Sequence, residues 1–228
     1  MRMAKMGNSR LLKKDLLGVV RQTSDNGVPV VARDCVHAAT GFAWLARRLM
    51  RREARALALL ADTEGVPQLI DLHANSLLRS YIDGRPMQLA RPTDRAYFDS
   101  AARLLRRLHA AGVAHNDLAK EPNLLVRGDG GPAIIDFQLA VTTRRRGKLF
   151  RLAAREDIRH LLKHKRTYCP QHLTARERQI LDRPGWVSIA LAKTLKPAYV
   201  FVTRRLLGWQ DREGAGDRNV TPEVGSGR

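Results

Sequence analysis

A chain of 228 residues is long enough for one ordinary domain or for two small lobes around a shared core. Its 44% hydrophobic content with interspersed charge excludes a disordered chain, and no stretch reaches the ~18 charge-free apolar residues of a spanning helix. The net charge of +19, from 41 Lys and Arg against 22 Asp and Glu, points to anionic partners, while Cys35 and Cys169 are too few for a disulfide framework or a zinc site and read as reduced cytosolic thiols.

Residues 1–10 read as a frayed basic tail without the apolar run of a secretory leader. Val19-Val20 and the Val-rich residues 28–31 flank Ser24-Asp25-Asn26-Gly27, so this part predicts an antiparallel hairpin. Residues 42–61 change to helical spacing, with Trp44, Leu45, Leu49, Glu53, Leu57 and Leu60 near one stripe and Gly65 after the exit. Two more strands are expected over 68–72 and 76–82, ending at the turn or hinge Asp83-Gly84-Arg85-Pro86. Thr93 is the expected N-cap of a helix through Phe98, Ala101, Leu105 and Leu108, with Gly112 at its stop. A basic helix is expected over 149–164, and Thr174 with Glu177 forms a capping box for another. Residues 185–208 are expected to add one or two helices packed on the lobe, and the final ~18 residues read as a tail. Strands first and helices later predict an α+β chain of two lobes, an N-terminal sheet with one helix over 11–82, a helical lobe over 83–210 and a tail over 211–228.

The chemistry concentrates between these elements. His115-Asn116-Asp117 opens a polar loop, Asn123 follows Asp117 by six residues, and Asp136 closes a second apolar run thirteen residues beyond Asn123. Two carboxylates and a carboxamide at one edge of a small hairpin suit a base and metal ligands, the arrangement phosphoryl transfer needs because its catalysis is mostly positioning and charge neutralisation. His115 reads as a structural group that orients the loop. His160 and His164 are one helical turn apart, but with Arg159, Lys163, Lys165 and Arg166 around them they read as cationic surface rather than a metal site. Residues 186–209 carry Trp186, Tyr199, Phe201 and Trp209 among basic residues, and packing onto the lobe is preferred there to an anionic membrane surface.

With these residues in view, the chain resembles the protein-kinase-like superfamily, and within it the small bacterial RIO-type and lipopolysaccharide-type (Kdo kinase-like) kinases, over roughly residues 11–165. The resemblance implies that Asp117 orients the acceptor hydroxyl, that Asn123 and Asp136 hold magnesium, and that Lys120 neutralises charge on the transferred phosphoryl group. It implies Arg33 at the place of the usual strand lysine, with Glu53 as its ion-pair partner, and it marks Tyr81 and Ile82 as the backbone hinge for adenine. Asp157 is the candidate brace of the catalytic loop. The chain departs from the pattern in four ways: the six-residue step from Asp117 to Asn123, Arg for Lys, Gln138 in place of a glycine after Asp136-Phe137, and Gly18 alone where a Gly-rich loop is expected. About ten residues separate Gln138 from the basic helix, too few for a long activation segment or a peptide platform.

The implied function is ATP- and Mg2+-dependent transfer of the γ-phosphoryl group to a hydroxyl of a protein Ser/Thr or of a lipopolysaccharide core sugar, in the cytoplasm or at the inner membrane face. The second reading is a nucleotide-binding pseudokinase or ATPase scaffold acting on RNA or a ribosomal particle, motivated by Arg33 and the sparse Gly-rich loop. Asp117 argues against it, because a pure scaffold has no chemical use for that carboxylate.

Overall fold

The computed structural model describes residues 9–39 and 41–182. The expected helices over 185–208, the aromatic residues of 186–209 and both tails lie outside the described residues, apart from the last residues of the N-terminal one.

Five strands form the first sheet: β1 (Arg10–Asp15), β2 (Gly18–Asp25), β3 (Val28–Asp34), β4 (Leu69–Leu72) and β5 (Ser76–Ser80), in the order β1-β2-β3-β5-β4 with every neighbouring pair antiparallel. The predicted hairpin is the β2–β3 pair, turning at Asn26 and Gly27, which both take positive φ. Strand β1 was not foreseen, because its sequence Arg-Leu-Leu-Lys-Lys-Asp has neither alternation nor β-branching. It is an exposed edge strand, and its lysines suit that place by discouraging further pairing. The turn between β1 and β2 is tight, and a Cβ at Gly18 would lie 2.1 Å from the Asp34 carbonyl oxygen. Gly18 therefore serves the close approach of β2 to the end of β3.

Helix α1 (Ala43–Leu59) covers one face of this sheet. It buries Ala46, Met50, Glu53, Ala54, Ala56 and Leu57, whereas Trp44, expected on the inner stripe, is 65% exposed. The inner face is built instead from small residues and Met50, which bring the helix close to the strands.

After the short β6 (Arg85–Pro86) and α2 (Met87–Ala90), the chain forms α3 (Arg95–Ala110), β7 (Val113–Ala114), the hairpin of β8 (Leu124–Val126) and β9 (Pro132–Ile134), β10 (Val141–Thr142), α4 (Lys148–Tyr168) and α5 (Ala175–Asp182). The N-cap of α3 is Asp94, whose carboxylate accepts the Ala96 N–H at 2.9 Å, and not Thr93. The Asp carboxylate one residue on reaches the orphan amide, while the Thr93 carbonyl takes a hydrogen bond from Cys169. The Thr174–Glu177 box is formed in both directions, Thr174 N–H to Glu177 at 2.8 Å and Glu177 N–H to Thr174 at 3.2 Å. Phe98, Leu105 and Leu108 of α3, Leu124 of β8, Ile134 of β9 and Phe137 meet in one core with Leu57 and Leu60, so that core runs from the helical layer to the end of α1.

Gly112 ends α3 at φ 79° and holds β10 through a hydrogen bond from Thr143 N–H at 2.9 Å. A Cβ there would lie 2.2 Å from the Thr143 oxygen. Gly112→Ala is expected to lower stability by about 2 kcal/mol or more, the sum of left-handed strain and the backbone clash, read as a fall in the midpoint of urea unfolding.

Candidate functional site

The site lies where the sheet with α1 meets the β8–β9 hairpin. The Asn123 amide nitrogen donates to the Asp117 backbone oxygen at 2.9 Å and to Asp117 Oδ2 at 3.1 Å. Both partners are acceptors, so the nitrogen end is fixed against Asp117 and Oδ1 is left as the free-facing carbonyl oxygen of the amide. The six-residue spacing is absorbed by a turn from Asp117 to Lys120 and a 3-10 turn over Glu121–Asn123, with the intervening Leu118 fully buried. Lys120 Nζ lies 3.2 Å from Asp117 Oδ2.

Asp136 sits at the end of the hairpin with φ 65°, an uncommon conformation for a residue with a side chain. The Asn123 carbonyl joins this end to the loop by accepting the Ile135 N–H at 3.0 Å. The Gln138 amide donates to Asp136 Oδ1 at 2.7 Å, so the side chain that replaces the usual glycine ties one carboxylate oxygen and leaves Oδ2 for another partner. Burial alone would raise the Asp136 pKa. The Arg33 charge, the Gln138 hydrogen bond and Arg79 outweigh it and hold the carboxyl below its ordinary value.

The loop is braced from behind. Asp157 of α4 is fully buried and accepts the His115 N–H at 2.7 Å and the Asn116 N–H at 2.8 Å, with His109 Nε2 at 3.1 Å from the same carboxylate. His115 Nε2 meets the Ile135 carbonyl at 2.9 Å, a pure acceptor, so that nitrogen carries the proton while Nδ1 accepts the Asp117 N–H at 3.3 Å. The ring also packs edge-on against Phe137 at 4.8 Å. His115 thus ties the two acidic segments together.

Above the loop, Arg33 Nε lies 3.2 Å from Glu53 Oε2, and an Arg33 terminal nitrogen is 3.9 Å from Asp136 Oδ1. Sequence reasoning missed the other cation here. Arg79 of β5 is buried, and its Nε lies 3.1 Å from Glu53 Oε1. Its signal was available: Leu77 and Arg79 share the covered face of a strand, and an arginine on such a face needs a buried carboxylate.

One sequence expectation is narrowed and another changes. Tyr81 gives its N–H to the Pro29 carbonyl at 3.2 Å, so that amide is not open to a ligand. Strand pairing thus carries on one residue past the end of β5. His160 and His164 are not cationic surface. Burial first, then the Lys163 charge, bring His160 down to about 4, and His164 is buried with Nε2 against the Leu118 carbonyl at 2.7 Å. Lys165, grouped with them, is buried too and pairs with Glu177 at 2.8 Å. Among the described residues no group of three His, Cys, Asp or Glu side chains could hold a metal by itself.

A five-stranded antiparallel sheet with one helix, joined to a helical layer, defines a protein-kinase-like fold, with a loop Asp and Asn beside a hairpin-end Asp as its candidate site. The chain belongs to the RIO family, since the family model described as the RIO domain matches residues 32–178. Among solved structures it is similar to the Rio2 kinase from Chaetomium thermophilum, with TM-score 0.59 and 16% identity over 90% of this chain and 73% of that one. It is similar also to the Rio2 kinase-ADP/Mg2+-phosphoaspartate complex from the same organism, with TM-score 0.56 and 16% identity over 89% and 68%. At that identity the likeness carries the fold alone. None of the curated proteins compared with the chain matches it.

Proposed function

We propose that this chain is an ATP- and Mg2+-dependent phosphotransferase that passes the γ-phosphoryl group to a hydroxyl. The observation that carries the reading is the meeting of Asp117, Asn123 and Asp136 through a shared loop and hairpin end. Asp136 Oδ2 and Asn123 Oδ1 are hard oxygen donors, and magnesium accepts two such protein ligands when phosphates and water complete its shell. Bound there, the ion would neutralise charge on the phosphates. Asp117 orients the acceptor hydroxyl and takes its proton, and Lys120 beside it balances the charge that develops on the transferred group. Arg33, held by Glu53, meets the phosphates with its terminal nitrogens. The Ile82 N–H and the Tyr81 carbonyl are the backbone groups assigned to adenine. The division into a lobe over 11–82 and a helical lobe over 83–210, with a tail over 211–228, belongs to the same reading.

The acceptor is a protein Ser/Thr or a lipopolysaccharide core sugar, and the work is cytoplasmic or at the inner face of a membrane. No helix among the described residues is long and apolar enough to cross one. Exposed Arg48, Arg51 and Arg55 of α1, with Trp44, support an anionic partner such as acidic lipid or RNA. Binding to acidic vesicles or RNA that did not weaken as salt rises would remove that partner.

Incubation with γ-labelled ATP, Mg2+ and a cell-envelope or cytosolic extract tests the whole. Label in protein that resists hydroxylamine marks a hydroxyl acceptor, and label in glycolipid marks a sugar. Label released by hydroxylamine marks a carboxylate, as in the phosphoaspartate of the Rio2 complex. Free phosphate alone indicates an ATPase, and tight nucleotide binding without any label favours the scaffold acting on RNA or ribosomal particles.

A further inference from the structure

Glu53 is fully buried, yet it has two cationic partners rather than one. The pairing register explains how. Val31 of β3 stands opposite Arg79 of β5, and Arg33 is two residues on from Val31, so both arginines point to the face that α1 covers. Each gives its Nε to a different oxygen of the carboxylate, at 3.2 and 3.1 Å. These contacts lie within ion-pair distance but lack hydrogen-bond alignment among the described residues, so charge rather than directed bonding holds them. With Asp136 3.9 Å from Arg33, the cluster contains two positive and two negative side chains.

We propose that Arg79 is a positioning residue of the phosphate site: it keeps the buried Glu53 carboxylate neutralised, so that Arg33 can offer its guanidinium to a triphosphate. The inference rests on the phosphotransferase reading above. A lysine at the place of Arg33 carries a compact charge that serves a carboxylate and a phosphate together. The planar guanidinium of Arg33 holds its charge across a wider fork, and a lone buried Glu53 would draw the whole fork inward, since an unpaired buried carboxylate is costly. With Arg79 holding one oxygen, Arg33 needs to spend only Nε on Glu53, and its terminal nitrogens are left for Asp136, at 3.9 Å, and for phosphate. Arg79 itself need not touch the nucleotide.

The test compares MgATP with adenosine on the full chain and on Arg79→Gln and Arg79→Lys. Gln keeps a donor for Glu53 without the charge. The expected result is a KM for MgATP raised about tenfold in Arg79→Gln, the loss of one charge-assisted contact. The inhibition constant of adenosine, which has no phosphates, should stay unchanged, and Arg79→Lys should return the KM to within about threefold of the wild-type value. Equal weakening of MgATP and adenosine, or an unchanged KM with only a lower melting temperature, would overturn the inference and leave the phosphotransferase reading standing. If Arg79→Gln does not fold, the Lys variant decides alone, because weakening of MgATP and adenosine in equal proportion there overturns it too. A wild-type chain that neither binds nor turns over MgATP overturns both.

Discussion

Asp136→Asn is expected to abolish phosphoryl transfer while leaving the chain folded. Asparagine has the same shape, tolerates the left-handed backbone at φ 65°, and still accepts the Gln138 amide through its own carbonyl oxygen. What it removes is charge. In the wild-type chain Arg33 and Arg79 keep this carboxyl below its ordinary pKa against the pull of burial, so it is anionic throughout the neutral range. Without that anion a divalent ion held there would lack its charged protein ligand, and Arg33 loses a carboxylate at 3.9 Å. Metal neutralisation of phosphate is worth several kcal/mol, so the rate of label transfer should fall on the order of a thousandfold. The unfolding midpoint should shift little, since Asp136 is only half-buried. A variant that keeps more than about a tenth of the wild-type rate would show that Asp136 is not the metal ligand.

The same residue illustrates what was legible in advance. Asp117, Asn123 and Asp136 could be picked out because loop chemistry depends on short polar side chains at fixed separations, and the flanking apolar runs revealed the hairpin that brings them together. The inner stripe of α1 from Glu53 onward and the Thr174–Glu177 box were readable for similar reasons: both follow from helix periodicity. Arg79 and β1 were not read. A charged residue on a strand usually faces solvent, and that expectation hid the signal of the face Arg79 shares with Leu77, where Glu53 supplies the buried partner. Strand β1 is stabilised by its hairpin pairing with β2, a cross-strand term that its own residues do not signal. His164 and Lys165 were misread for the opposite reason. Local charge density suggested a solvated face, whereas the Leu118 carbonyl and Glu177 supply buried partners from other parts of the chain.

Asp157 is where the largest loss of stability is expected. It is fully buried, and its two oxygens accept the consecutive backbone amides of His115 and Asn116 and meet His109. Asp157→Ala leaves those donors without an acceptor and opens a void at the junction of α3, α4 and β7. The cost should be about 3–5 kcal/mol, a large part of the ~5–15 kcal/mol that holds an ordinary domain folded. Urea unfolding followed by circular dichroism measures it, and a cost under about 1 kcal/mol would show that the loop holds its shape without the brace. Asp157→Asn separates the brace from simple packing. It fills the same volume but turns one acceptor into a donor, which opposes one of the two amides. The Asn116 N–H is one of those two amides and Asp117 follows it directly, so the loop should relax and carry Asp117 away from the place proposed for the acceptor hydroxyl. The expected signature is a kcat reduced about a hundredfold with little change in the KM for MgATP, since misplacement of about 1 Å is enough for such a loss and the nucleotide is held by other elements. A rise in KM with kcat unchanged would instead place Asp157 in support of the nucleotide site and leave the orientation of Asp117 to His115 alone.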